Sequence, residues 1–132
     1  MKIGKGKVAA VTGAASGLGR SMALAFAAEG MDVALADVDQ EGLLKTQGVV
    51  GEYGVKSTTL RVDVSKAAEV EAFAEHTVKE LGAVHMVCNN AGVSPLGSVW
   101  ENTLADWQWI LGVNLWGVIH GVRAFAAPNR AE

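Results

Sequence analysis

The stretch Thr12-Gly13-Ala14-Ala15-Ser16-Gly17-Leu18-Gly19-Arg20 constrains the fold of this chain more than any other. In front of it runs Lys7-Val8-Ala9-Ala10-Val11, a short apolar run that reads as a buried strand. Behind it, Ser21 to Glu29 is rich in strong helix formers, and Gly30 is a stop signal. Strand, glycine-rich turn and helix together make an anion site, because the first N–H groups of a helix lack partners and carry partial positive charge. Glycines let the backbone turn sharply and let a pyrophosphate come close, with no Cβ between. The chain has 16 glycines, so three of them at one turn could mark an ordinary strand-to-helix connection. The context raises the reading: a second strand, Asp32-Val33-Ala34-Leu35-Ala36, ends in Asp37. Asp37 lies 18 residues after Gly19, close to where a dinucleotide site places its ribose-binding acid.

The remaining chain continues the alternation. Asp39 reads as the N-cap of a helix over about Gln40 to Tyr53, weakened by Gly42, Gly48 and Gly51. A third strand, Ser57 to Val62, runs into Asp63-Val64. Ser65 is a candidate cap for a helix whose Val70, Phe73, Thr77 and Leu81 repeat at helical spacing, ended by Gly82. The fourth strand, Val84 to Cys88, leads into Asn89-Asn90-Ala91-Gly92. Thr103 to Asp106 has capping-box spacing before a helical stretch to about Ala127, stopped by Pro128 and followed by the short polar tail Asn129 to Glu132. Within it Leu111, Leu115, Val118, Val122 and Phe125 form an apolar stripe, while Gly112, Gly117 and Gly121 predict a kink or two abutting helices. Four strand–helix alternations predict an α/β, Rossmann-type, doubly wound parallel sheet in three α/β/α layers, with about four strands, as one domain over residues 1–132.

Composition narrows the function classes. The net charge of −3 gives no general reason to expect nucleic acid. No apolar run approaches the roughly 18 residues of a membrane span. The single cysteine, Cys88, cannot form an internal disulfide, which fits a reducing, cytoplasmic setting. His76, His85 and His120 are scattered singly and predict no metal site.

These residues resemble the short-chain dehydrogenase/reductase family, from Lys7 to about Phe125. The resemblance rests on Thr12-Gly13-x-x-x-Gly17-x-Gly19, on Asp63-Val64 after the third strand, on Asn89-Asn90-Ala91-Gly92 after the fourth, and on Asn114 in Val113-Asn114-Leu115-Trp116-Gly117. It implies that Gly13, Ser16, Gly17, Leu18 and Gly19 would wrap a pyrophosphate. Asp37 would accept from the adenosine ribose hydroxyls, with Val38 beside it. Asp63 would accept from the adenine amino group while Val64 packs its ring. Asn90, Ala91 and Gly92 would bring backbone against the nicotinamide-side ribose. Asn114 resembles the family's catalytic asparagine, which holds a water in a proton relay; an asparagine inside a helix can also simply mark a kink.

The sequence departs from the family in one respect. The family continues with a strand bearing a serine and a helix bearing Tyr-x-x-x-Lys, and this sequence stops before them. Its one tyrosine, Tyr53, is followed by Gly54-Val55-Lys56, one residue short of that spacing, and reads as an exposed helix-end aromatic. The resemblance therefore implies the family's N-terminal portion. It implies an NAD-binding part of an oxidoreductase acting on alcohols or ketones, NAD preferred over NADP, self-association, and no turnover by this chain alone. Two rival readings stand beside it. One is a non-catalytic nucleotide-binding or interaction protein that uses the apolar helix over 111–125. The other is another nucleotide-dependent enzyme such as a methyltransferase, against which the Asn89 to Gly92 segment and Asn114 argue. The tryptophans Trp100, Trp107, Trp109 and Trp116 crowd one segment, where they suit a substrate pocket or, better, helix packing or an interface.

Overall fold

Side-chain alternation along the strands decides how the layers assemble. In the computed structural model, which describes residues 1–126, β1 (Val8–Thr12), β2 (Asp32–Asp37), β3 (Ser57–Arg61) and β4 (Met86–Cys88) form a parallel sheet in the order β3-β2-β1-β4. Val8 lies opposite Asp32, Ala9 opposite Met86 and Val33 opposite Ser57. Alternate residues point to opposite faces, so each strand serves two cores. Ala9, Val11, Val33 and Leu35 pack with residues of α1 (Gly17–Ala28) and α2 (Gln40–Gly51), among them Ala23, Ala27, Leu43 and Val50. Ala10, Ala34 and Ala36 pack on the other face with Val70, Phe73 and Ala74 of α3 (Ala67–Leu81) and with Ala124 and Phe125 of α5 (Gly117–Phe125). There Phe73 and Phe125 meet edge to face, centroids 5.6 Å apart. Helices thus cover both faces of the sheet, as the strand–helix alternation predicts.

Local caps follow the sequence in two places and depart from it in a third. Asp39 Oδ1 accepts from Gly42 N–H at 3.0 Å, and Thr103 and Asp106 form a reciprocal capping box before α4 (Leu104–Leu111). Ser65 does not cap α3: its Oγ donates to Asp63 at 2.7 Å, and Lys66 stands at the cap position without a side-chain capping bond. Helix α1 starts at Gly17 rather than Ser21, so Gly17 and Gly19 belong to its first turn. Strand β4 is shorter than expected. The imidazole Nδ1 of His85 accepts from Val8 N–H at 2.9 Å, where a strand carbonyl would otherwise take that bond.

The long C-terminal helical stretch divides into two abutting helices, as its glycines predict. A π-helical turn, Gly112–Trp116, joins α4 to α5, and the backbone stays right-handed helical across both junctions. Its buried residues are Val113, Gly117, Gly121, Ala124 and Phe125. The small face therefore docks. A Cβ on Gly117 would stand 2.7 Å from Val64 Cγ2, and one on Gly121 would stand 1.9 Å from the buried, unpartnered Asn89 Oδ1. Of the expected stripe only Phe125 turns inward; Leu111, Leu115, Val118 and Val122 face out. The tryptophans also stay out of the core, 42 to 85 % exposed. This argues against helix packing within the chain and leaves a pocket or an interface for them. The expected helix end at Ala127, the stop at Pro128 and the tail 129–132 lie outside the described residues. Among those described, no helix is long and apolar enough to cross a membrane.

Candidate functional site

The carboxyl ends of the four parallel strands lie at one end of the sheet; from β1 the chain winds to one side through β2 and β3, then crosses over a sheet face through α3 to β4 on the other side of β1. That crossing makes a switch point between β1 and β4, the position at which open α/β sheets bind ligands. The buried hydroxyl of Thr12 joins the two strand ends: it accepts from Asn90 N–H and Ala91 N–H, both at 3.0 Å, and donates to Cys88 O at 3.4 Å. The Asn90 amide donates in turn to Thr12 O at 3.2 Å and Gly13 O at 3.4 Å.

Gly13 holds φ +68°, a left-handed conformation that favours glycine. Its turn folds back so closely that a Cβ on Gly19 would lie 1.9 Å from Gly13 O. Ala14 N–H donates to Ala36 O at 3.1 Å and Ala15 N–H to Asp37 Oδ2 at 3.0 Å, which ties the turn to the end of β2. From behind, buried Thr46 of α2 donates to Ala14 O at 2.8 Å. Arg20 donates to Thr46 Oγ1 at 2.9 Å and also to Ala15 O, so its guanidinium braces the turn instead of leaving it. Ser16, Gly17 and Leu18 stand exposed at the start of α1, open to a ligand over the helix N-terminus.

Two carboxylates line the cleft beside this turn. Asp37 accepts one backbone N–H on each oxygen, from Ala15 and, at 3.1 Å, from Asp39. An ionised carboxylate has about four acceptor positions, so two remain. Asp63 Oδ1 accepts from Ser65 Oγ at 2.7 Å and Ser65 N–H at 3.0 Å. The Ser65 hydroxyl bond holds the Asp63 carboxyl below its ordinary value of 3.8, against the opposing effect of burial. It is therefore an ionised acceptor throughout the neutral range.

The cleft has a volume of about 220 Å³. Of the residues expected from sequence, it brings together Gly13, Asp37, Val38, Asp63, Val64, Ala91 and Gly92. Ser16, Gly17, Leu18, Gly19 and Asn90 flank or brace it from the turn. Sequence reasoning missed Val62, Val93 and Val113 on its walls, and Thr12, Thr46 and Arg20 behind it; Trp109, one of four tryptophans for which a pocket is one reading, also lines it. For Thr12 a signal existed: a hydroxyl at the end of an otherwise apolar buried strand. Asn114 lies in the π turn, and its carboxamide pairs with the backbone of Val93, accepting from N–H and donating to O, each at 2.8 Å. It thereby fixes the segment that follows Gly92. Tyr53 is half-exposed and not part of the cleft. No group of three His, Cys, Asp or Glu residues suited to a metal occurs among the described residues.

A parallel sheet ordered β3-β2-β1-β4, with a glycine turn after the first strand and acids after the second and third, defines a Rossmann-type α/β fold. The sequence pattern of the family described as short chain dehydrogenase matches residues 7–129. This chain belongs to that family, whose members use a nicotinamide cofactor. It is similar to a 3-alpha-(or 20-beta)-hydroxysteroid dehydrogenase of Mycobacterium tuberculosis, 38% identical over 126 residues, which are 95% of this chain and 47% of the relative. Among solved structures it resembles a short chain dehydrogenase/reductase from Burkholderia phymatum in complex with NAD, with a TM-score of 0.92 and 45% identity over 98% of this chain and 46% of that one. An alcohol dehydrogenase from the archaeon Thermococcus sibiricus, complexed with 5-hydroxy-NADP, is also similar, with a TM-score of 0.86 and 33% identity over 91% of this chain and 52% of that one. The chain spans about half the length of these relatives.

Proposed function

We propose that this chain is the NAD-binding part of a short-chain dehydrogenase/reductase, and that it prefers NAD to NADP. Whole relatives of this kind would move a hydride between the nicotinamide ring and a carbonyl or secondary alcohol carbon. The residues fit the nucleotide. The Cβ-free turn at Gly13 and Gly19 leaves backbone N–H groups of α1 open to a pyrophosphate. Asp37 then meets the ribose hydroxyls with Val38 beside it, and Asp63 and Val64 meet the adenine. Asn90, Ala91 and Gly92 lie on the nicotinamide side, beyond the switch point. A cleft of about 220 Å³ suits a nucleoside, since whole ligand pockets run to about 300–1,000 Å³.

The observation that carries the cofactor choice is the Asp37 carboxylate, held by Ala15 and Asp39 N–H groups with acceptor positions to spare. It can accept from a 2′-hydroxyl but repels a 2′-phosphate at short range. Arg20 does not line the cleft: its guanidinium is held at the back of the turn by Ala15 O and Thr46. Similar proteins carry NAD in one case and 5-hydroxy-NADP in another, so the choice rests on this chain's own residues. Calorimetry should show NAD binding at least about tenfold tighter than NADP, the scale of one charge-assisted hydrogen bond. Asp37→Ala should weaken NAD and bring the two close together. Equal affinities in the unaltered protein, or a variant that still discriminates, would overturn the assignment.

The outward stripe favours a second property, self-association. Leu111, Leu115, Val118 and Val122 are exposed along one helical stretch, and β4 pairs only with β1, which leaves its outer edge open among the described residues. Monomers rarely leave contiguous apolar surface and a bare strand edge uncovered. Light scattering at micromolar concentration should show a dimer or larger assembly, and Leu115→Glu with Val122→Glu should dissociate it. A well-behaved monomer of the unaltered chain would count against this reading.

A further inference from the structure

We propose that the indole of Trp109 is a stacking wall for the adenine ring. The inference rests on the nucleotide reading above and adds to it a residue that the family resemblance did not point to.

Trp109 is placed by its helix. The capping box of Thr103 and Asp106, with bonds of 2.9 and 3.1 Å, sets where α4 begins. Trp109 sits four residues before Val113, so the two side chains share one helical face. Val113 is buried at the cleft, and Trp109 follows it toward the rim. The same cleft is lined by Val62, Asp63 and Val64, which follow β3 on the side of the switch point proposed for the adenosine. Trp100, Trp107 and Trp116 belong to the same segment, yet none of them lines the cleft.

The chemistry of the walls matches a purine. Trp109, Val64 and Val113 offer apolar surface to the flat faces of a ring. Asp63, kept ionised by Ser65, offers an acceptor to an amino group on the ring's edge. Trp109 itself is 49% exposed, and its ring has no aromatic partner among the described residues. A large apolar ring left half in water, in a cleft that also holds a carboxylate, is covered when a purine enters.

The test uses the whole 132-residue chain with NAD, AMP and NMN, read by calorimetry and tryptophan fluorescence, with circular dichroism to confirm folding. NAD and AMP should quench emission while NMN does not. Trp109→Ala should weaken NAD and AMP roughly fivefold to a hundredfold, the scale of losing one base–aromatic stack. Trp109→Phe should keep affinity within about threefold, since a ring remains, and should lose most of the quench. Trp100→Phe should keep it. Should Trp109→Ala fail to fold, the fluorescence of Trp109→Phe decides. Unchanged NAD affinity in folded Trp109→Ala, or full quenching in Trp109→Phe, would overturn the stacking role while leaving the nucleotide reading intact. Failure of the unaltered chain to bind either NAD or AMP would overturn the nucleotide reading, and the stacking role with it.

Discussion

Gly19→Ala should abolish NAD binding and lower unfolding stability by about 3 kcal/mol or more, at or beyond the top of the usual overpacking range. The added Cβ would lie 1.9 Å from Gly13 O, 2.6 Å from Gly13 C and 2.8 Å from Asn90 Nδ2. None of these can give way cheaply. Gly13 is fixed at φ +68° between β1 and the Ala14–Ala36 bond, and the Asn90 amide is anchored on Thr12 O and Gly13 O. The methyl therefore pushes α1 off the turn and pulls apart the ends of β1 and β4. Two other glycines serve as controls. Gly17 has φ +54° and nothing within 4 Å of a Cβ, so Gly17→Ala should cost only about 1–2 kcal/mol of left-handed strain. Gly48 is exposed within α2 with open space around it, so Gly48→Ala should stabilise by about 0.5–1 kcal/mol. Urea denaturation of the three variants checks the series. A Gly19→Ala protein within about 1 kcal/mol of the parent would show that the turn is far softer than its contacts imply.

The parts of this site that were legible in the sequence are those carried by near neighbours in the chain. Continuous apolar runs mark β1 and β2 because both sheet faces are covered, and each run ends at a glycine or an acid. The caps at Asp39 and Thr103 need only three residues of context, and both form. Ser65 shows the limit of that logic, since a stronger local acceptor, Asp63, lies two residues back and takes its hydroxyl. Contacts between distant segments were not legible. Thr12 reaches Asn90 and Ala91, and Arg20 reaches Thr46, through the packing of the sheet and α1 on α2. Apolar periodicity likewise picked the large stripe as the notable face of the C-terminal helix, whereas the docked face is the small one. Gly117 comes close enough to Val64 that only hydrogen fits between them, and that proximity is a property of the assembled layers. Trp109 was one of four crowded tryptophans until the register of α4 set it over the cleft.

The second large effect concerns chemistry: the 132-residue polypeptide should bind NAD and should not oxidise secondary alcohols or reduce ketones. A bound nicotinamide would supply or accept the hydride, and a proton must move at the same substrate oxygen. A positioned acid–base group typically contributes about a hundred- to ten-thousand-fold to such a step. The titratable side chains lining the cleft are Asp37 and Asp63, both assigned to the adenosine in the proposed function, and Asp63 is held ionised. Tyr53, the one tyrosine of the chain, stands half-exposed between α2 and β3, away from the cleft. Asn114 cannot replace it. An amide does not titrate near neutral pH, and both of its polar atoms are engaged by the Val93 backbone. Asn114 can hold the Ala91 to Val93 segment in place, which is a positioning task. Nucleotide affinity has a separate basis, because the proposed pyrophosphate, ribose and adenine contacts from Gly13 to Val64 need no proton donor. NADH absorbance across a panel of secondary alcohols, alongside calorimetry with NAD, separates the two. Binding without turnover is the expected result. Steady NADH production, abolished by Asn114→Ala, would place the proton-handling group within this chain and overturn the prediction.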